Sequence, residues 1–204
     1  MILEYNPNKP NWYYSYVNIP NLEKIKEELL FVRENVSPSS LTQIHYSAYF
    51  TKDVVDYVPN LYEYLKSVGL HEKLHYILFS AKNAPGTPLQ KSNIHIDHID
   101  KRITHSLNIP LLDCENTHTV WYKGQVRFLV EKVLSSGVKQ LKHYALLDEE
   151  LATEMCRVET VRPMLVNTSI PHRGIHNCPT RILSGIRFLP DLTDAEVQRI
   201  CNVD

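Results

Sequence analysis

Neither charge is in excess in this chain of 204 residues: Lys and Arg number 22 against 23 Asp and Glu, a formal net charge of -1. Nucleic acid and anionic membranes are recognised by clustered Lys and Arg, so no electrostatic footprint for either is expected. No apolar run approaches a bilayer span, which takes roughly 20 residues. The first residues, Met-Ile-Leu-Glu-Tyr-Asn-Pro, lack the basic start and apolar core of a secretory signal. Cysteine is scarce and scattered: Cys114, Cys156, Cys178 and Cys201 form no C-x-x-C. They read as reduced thiols of a cytoplasmic protein, which argues against a disulfide frame or a zinc site. Glycine is rare, at 6 residues, whereas Pro and Tyr each number 12; that balance fits many short strands joined by defined turns. No repeat, low-complexity tract or linker is visible. A content of 43% hydrophobic and 22% charged residues is that of an ordinary globular protein, and the length suits one domain.

Histidine is what the chain has in quantity, with 10 copies, and their number directs attention to metal. The organisation runs from helix to strand. Residues 1–20 read as an extended, aromatic lead-in containing Trp12-Tyr-Tyr14 and Tyr16. A helix is predicted from about Asn21 to Glu34, with Leu22, Ile25, Leu29 and Val32 on one face and Asn21 as its cap. Residues 41–50 read as a short strand. A second helix runs from about Asn60 to Val68, with Leu61, Tyr64, Leu65 and Val68 inward and Gly69 as its stop.

From residue 73 the period falls to two. Strands are predicted over Lys73–Lys82, Asn93–Asp97, Arg102–Leu111, Thr119–Tyr122, Val158–Ser169 and Arg181–Leu189. Residues 125–134 and 138–146 are further strands or an insertion, and Asp148–Cys156 is predicted as a short helix. A last helix starts with Thr193 and Glu196 at capping-box spacing and buries Val197 and Ile200. Helices first and short strands after predict a β-sandwich or barrel buttressed by helices on one side.

Two stretches carry the chemistry. In His95-Ile-Asp97 the flanking Ile94 and Ile96 take one face of a strand and His95 and Asp97 the other. An imidazole and a carboxylate so placed can grip a divalent metal. A second His from a remote strand would complete the two-His-one-carboxylate face that leaves three positions open, as in non-haem Fe(II) oxygenases. The second stretch is Asn167-Thr-Ser-Ile-Pro-His172. It reads as a strand closed by Pro171-His172, followed by a loop, Arg173 to Thr180, and then by the alternating strand Arg181-Ile-Leu-Ser-Gly-Ile-Arg-Phe188. In a hairpin this spacing brings Arg181 beside His172. An arginine there can hold the far carboxylate of a dicarboxylate 2-oxo acid in a bidentate pair. The other end of that molecule would chelate the iron at two open positions, leaving one for dioxygen (O2).

The order His95-x-Asp97, Leu107-Asn-Ile-Pro-Leu111, Thr119-Val-Trp-Tyr122, Asn167-Thr-Ser-Ile-Pro-His172 and Arg181-Ile-Leu-Ser184 with Arg187-Phe188 resembles the 2-oxoglutarate/Fe(II)-dependent oxygenase superfamily. It is most similar to small bacterial and phage members related to aspartyl/asparaginyl and prolyl hydroxylases, over roughly residues 73–189. The resemblance implies a double-stranded β-helix (jelly-roll) core over about 73–189, with helical support over about 1–70 and a C-terminal helix over about 193–201. It implies Fe(II) on His95, Asp97 and His172, and the 2-oxoglutarate carboxylate on Arg181. The implied activity is hydroxylation of a small-molecule or peptide side-chain substrate that the sequence does not name.

Rival assignments exist for each part. His98-Ile-Asp100 is a second H-x-D, but it reads as the turn after the strand. His176 rivals His172 from within the predicted loop, and Arg187 shares the phase of Arg181. Asn108 and Tyr76 are additional candidates for the 2-oxoglutarate pocket, each also readable as an ordinary strand or core residue. Trp121 and Tyr122 read as core rather than as a substrate platform. Two other functions share the pattern: a cupin-like metal protein, which needs no arginine at 181, and an inactive jelly roll serving as a structural or binding module.

Overall fold

In the computed structural model the described residues are 12–38, 40–43, 46–81, 90–91, 94–97, 103–129, 132–133, 139–140, 144–147, 149–176, 178 and 180–201. Eight strands build the core: β1 (Leu74–Ala81), β2 (His95–Ile96), β3 (His105–Leu112), β4 (His118–Lys123), β5 (Thr153–Glu159), β6 (Met164–Asn167), β7 (His172–His176) and β8 (Ile182–Phe188). They form two antiparallel sheets, β6-β3-β8-β1 and β5-β4-β7-β2. The hydrogen-bonded pairs β1/β8, β2/β7, β3/β6 and β4/β5 are what results when one long hairpin is wound over itself. The core is therefore a jelly roll. The first sheet is widened by Tyr14–Tyr16 beside β6, and by Tyr46–Phe50 and Ser40–Gln43 beside β1. The second is widened beside β2 by Tyr144–Leu147 and Val126–Leu129, which belong to the insertion between β4 and β5.

Among the described residues, four α-helices accompany the sheets: α1 (Leu22–Asn35), α2 (Thr51–Val54), α3 (Pro59–Ser67) and α4 (Asp194–Cys201). Period-two alternation on β3 and β8 sends Leu107, Ile109, Ile186 and Phe188 to the outer face of the first sheet. There they pack against Ile25, Leu29 and Val32 of α1, Leu61 and Leu65 of α3, and Val197 and Ile200 of α4. The opposite face of the same strands looks into the roll. Its apolar end holds Met164 and Val166 against Trp121, Val158 and Tyr14. Its polar end carries the cross-strand row Tyr76, Arg187, Ser106. Gly185 lies in the next row, where a Cβ would stand 3.2 Å from Ser106 Oγ and 3.4 Å from Asn108 Oδ1. A side chain here would crowd Ser106 and Asn108. Among the described residues, no helix is long and apolar enough to cross a membrane.

Several expectations are corrected. Asp148–Cys156 is not a helix: a single 3-10 turn at Glu149–Leu151 precedes strand β5, whose ladder with β4 overrides a modest helical preference. Arg173–Thr180 is not all loop, because His172–His176 is a strand flanked by β4 and β2. The strand predicted over 158–169 is broken: β5 ends at Glu159, and β6 starts at Met164 in the other sheet. Residues 41–50 divide into two paired strands. Asn21 does precede α1, but with φ 55° and without a side-chain capping bond. The hairpin imagined between His172 and Arg181 does not exist, since β7 and β8 lie in opposite sheets.

Candidate metal centre

His95 opens β2 and His172 opens β7, and the two are register partners. Their side chains therefore share a face, with ring centroids 4.7 Å apart and planes inclined by 42°. Asp97 follows β2 at once, and its backbone N–H donates to Thr168 O at 3.1 Å, which ties it to the turn before β7. One ligand atom each from His95, Asp97 and His172 lies within 4.8 Å of the other two. His95 Nε2 stands 3.3 Å from Asp97 Oδ1, and His172 Nε2 stands 4.0 Å from Asp97 Oδ2.

The protonation pattern makes this cluster fit a cation. His172 Nδ1 lies 2.9 Å from Ile170 O. A carbonyl can only accept, so Nδ1 carries the proton and Nε2 presents a lone pair. Burial, assisted by the neighbouring His95, pushes the His172 imidazole down to about 4, so it is neutral at physiological pH. Burial alone would raise the Asp97 carboxyl. Arg187, the hydrogen bond from His95 and the two imidazoles together overcome it and hold the group well below the ordinary carboxylate range. A lone pair and a carboxylate oxygen thus face each other with no proton to share. Two imidazoles and one carboxylate form a donor set suited to a divalent first-row metal.

Arg187 is the cluster's counter-ion. Its Nη2 donates to Asp97 Oδ2 at 2.7 Å, and its Nη1 donates to Thr168 Oγ1 at 3.4 Å. Its neighbour across β1 is Tyr76. Burial raises the Tyr76 phenol, Arg187 opposes that and Asp97 adds to it, so the phenol lies in the field of both. Arg181 precedes β8, is buried, and donates from Nη1 to Ser80 Oγ at 3.2 Å. Asn108 shares the inward face, and its Oδ1 accepts from Ser106 Oγ at 2.6 Å.

The structure therefore brings together His95, Asp97 and His172, with Arg187 against the acid and Tyr76 beside Arg187. Arg181 and Asn108 lie on the inward side of the same sheet, Arg181 bonded to Ser80 and Asn108 to Ser106. His176 lies on the same face of β7 but four residues on, about 13 Å further along an extended strand. His98 and Asp100 lie outside the described residues. Trp121 is fully buried and is the neighbour of His172 on β4. Tyr122 points to the other side of the sheet, where its hydroxyl accepts from Arg173 Nε. Sequence reasoning missed the roles of Asn167, Thr168 and Ile170, which hold the ligands in place. Their only signal was adjacency to His172.

No protein-family model matches the chain, and no curated protein matches it. A solved structure, that of a Pseudomonas putida prolyl-4-hydroxylase, aligns with 12% sequence identity and a TM-score of 0.37, over 88% of this chain and 93% of that one.

Proposed function

We propose that this chain is a non-haem Fe(II)- and 2-oxoglutarate-dependent dioxygenase that hydroxylates a carbon of its substrate. The observation that carries the reading is the convergence of His95, Asp97 and His172 inside a jelly roll, with one ligand atom from each within 4.8 Å of the other two. His95, Asp97 and His172 would hold the iron and leave part of its coordination open. When bound, iron with 2-oxoglutarate and O2 supplies the chemistry that converts a C–H bond to an alcohol, yielding succinate and CO2.

The chain's own residues bind and orient. The Ile170 carbonyl keeps the Nδ1 proton of His172 away from the metal side. Arg187 holds one oxygen of Asp97 and keeps the acid ionised. Arg181, buried just before β8 with Nη1 on Ser80 Oγ, would pair with the far carboxylate of the co-substrate. Tyr76 and Asn108 offer hydroxyl and amide groups on the same wall. The apolar end of the interior, Trp121 with Met164 and Val166, excludes water from the neighbourhood of His172.

The test is direct. Purified protein with Fe(II), ascorbate and 2-oxoglutarate should release succinate, slowly even without a substrate. Asp97→Ala and His172→Ala should each abolish metal uptake, measured by Co(II) absorption. Arg181→Ala should keep the metal and raise the 2-oxoglutarate requirement about tenfold to hundredfold, the equivalent of a charge-assisted hydrogen bond of about 1.5–3 kcal/mol. Metal uptake without succinate would sink the 2-oxoglutarate assignment and favour the cupin-like alternative. No metal uptake at all would sink both and favour an inactive binding module.

A further inference from the structure

The metal ligands depend on one turn, Thr168 to Pro171, that reverses the chain between β6 in one sheet and β7 in the other. Three contacts tie this turn to the cluster, two to its ligands and one to Arg187. Thr168 O accepts from the Asp97 N–H, Thr168 Oγ1 accepts from Arg187, and Ile170 O accepts from His172 Nδ1. The residue that holds this turn is Asn167. Its Oδ1 accepts from Ser169 N at 3.0 Å and from Ser169 Oγ at 2.6 Å, and its Nδ2 donates to Trp12 O at 3.3 Å. Its backbone N–H donates to Tyr13 O at 2.9 Å, and its carbonyl accepts from Trp121 Nε1 at 2.9 Å. Trp121 is in turn the register neighbour of His172.

We infer that Asn167 is a positioning residue for the metal centre: it fixes the turn that aims His172 and Asp97 at one point. The inference rests on the metal-centre reading above and adds to it a residue that touches neither metal nor co-substrate. The chemistry is specific to an amide. An acceptor is needed towards Ser169 and a donor towards the Trp12 carbonyl, and asparagine carries both on a short stem. Aspartate keeps the first and loses the second, while alanine loses both. The competing explanation is a turn residue that matters only to stability, and the two differ in what they do to a bound metal.

The experiment is Co(II) titration of the full chain, reading the visible absorption band and its affinity against a competing chelator. Wild type should bind one Co(II), which tests the underlying reading; if it binds none, this inference falls with it. Asn167→Ala should weaken binding about tenfold to hundredfold, the usual effect of removing support behind a ligand, and should shift the band. Asn167→Asp, which keeps the acceptor towards Ser169 and loses the donor towards Trp12, should recover only part of the affinity and of the wild-type band shape. Ser169→Ala, which removes only the side-chain bond at 2.6 Å, keeps the test open if Asn167→Ala does not fold; it should weaken binding roughly threefold to tenfold. Wild-type affinity and spectrum in the folded Asn167→Ala variant would overturn the proposal, as would wild-type values in Ser169→Ala.

Discussion

Arg187 is buried and Asp97 half-buried, with side chains 10% and 19% exposed, and the two pair at 2.7 Å. Removing one partner of such a pair strands the other, a cost of about 3 kcal/mol. Arg187→Met should therefore lower the stability of the metal-free protein by about that amount, read from denaturant unfolding. A divalent cation can replace the missing guanidinium, so added Co(II) should raise the unfolding midpoint of Arg187→Met more than that of wild type. Equal shifts in the two proteins would show that Asp97 is not where the cation's charge is felt. At this scale much of the site was legible beforehand. Alternation alone put His95 and Asp97 on one face and both arginines in phase. Which arginine meets the acid was not legible, because that is decided by cross-strand register: Arg187 falls between Tyr76 and Ser106 only once β8 is paired on both edges. The same holds for His172, which sequence placed at the end of a strand and the fold places at the start of one.

Among the elements, the helices were the easiest to read, because their apolar faces recur at helical spacing and that period is local. Strands of the insertion and the crossing from β6 to β7 were not, since pairing partners far apart in sequence decide them. The segment after β8 illustrates how such distant pieces are joined. Asp191 accepts from His105 Nδ1 at 2.9 Å and from Thr104 Oγ1, while Trp12 stacks on the His105 ring at 5.5 Å. Burial would raise the Asp191 carboxyl, but the hydrogen bond and charge of His105, with the Thr104 bond, hold it below its ordinary value of 3.8. A carboxyl whose value is lower in the fold stabilises the fold when ionised. That contribution is complete above the ordinary value and is lost as pH falls through the lowered one. Asp191→Asn should then melt at a lower temperature at pH 7 and show a shallower fall in Tm below about pH 4. A parallel pair of Tm-against-pH curves would refute the assignment.

Over the whole molecule, the two faces of the first sheet have separate duties. The outer face and its helices form the large apolar core, and the inner face sets Arg187 and Tyr76 against the candidate ligands of the second sheet. Leu29 is fully buried on α1 in that outer core, so Leu29→Ala should cost about 2–5 kcal/mol while leaving Co(II) affinity at the wild-type value. A fall in affinity matching the fall in stability would mean that the two faces are not independent. Composition and period foretold this division into buttress and barrel, and a strand over residues 41–50; they did not foretell that this segment and Tyr14–Tyr16 extend the first sheet, because edge pairing leaves no local mark.

Small zinc-dependent domains have no stable shape until their ion arrives, since the ligands repel or stay hydrated without it. Here a guanidinium already neutralises the acid and a main-chain carbonyl already orients one imidazole. The proposed ion would therefore meet donors that are already arranged, and the native shape would not wait for its arrival.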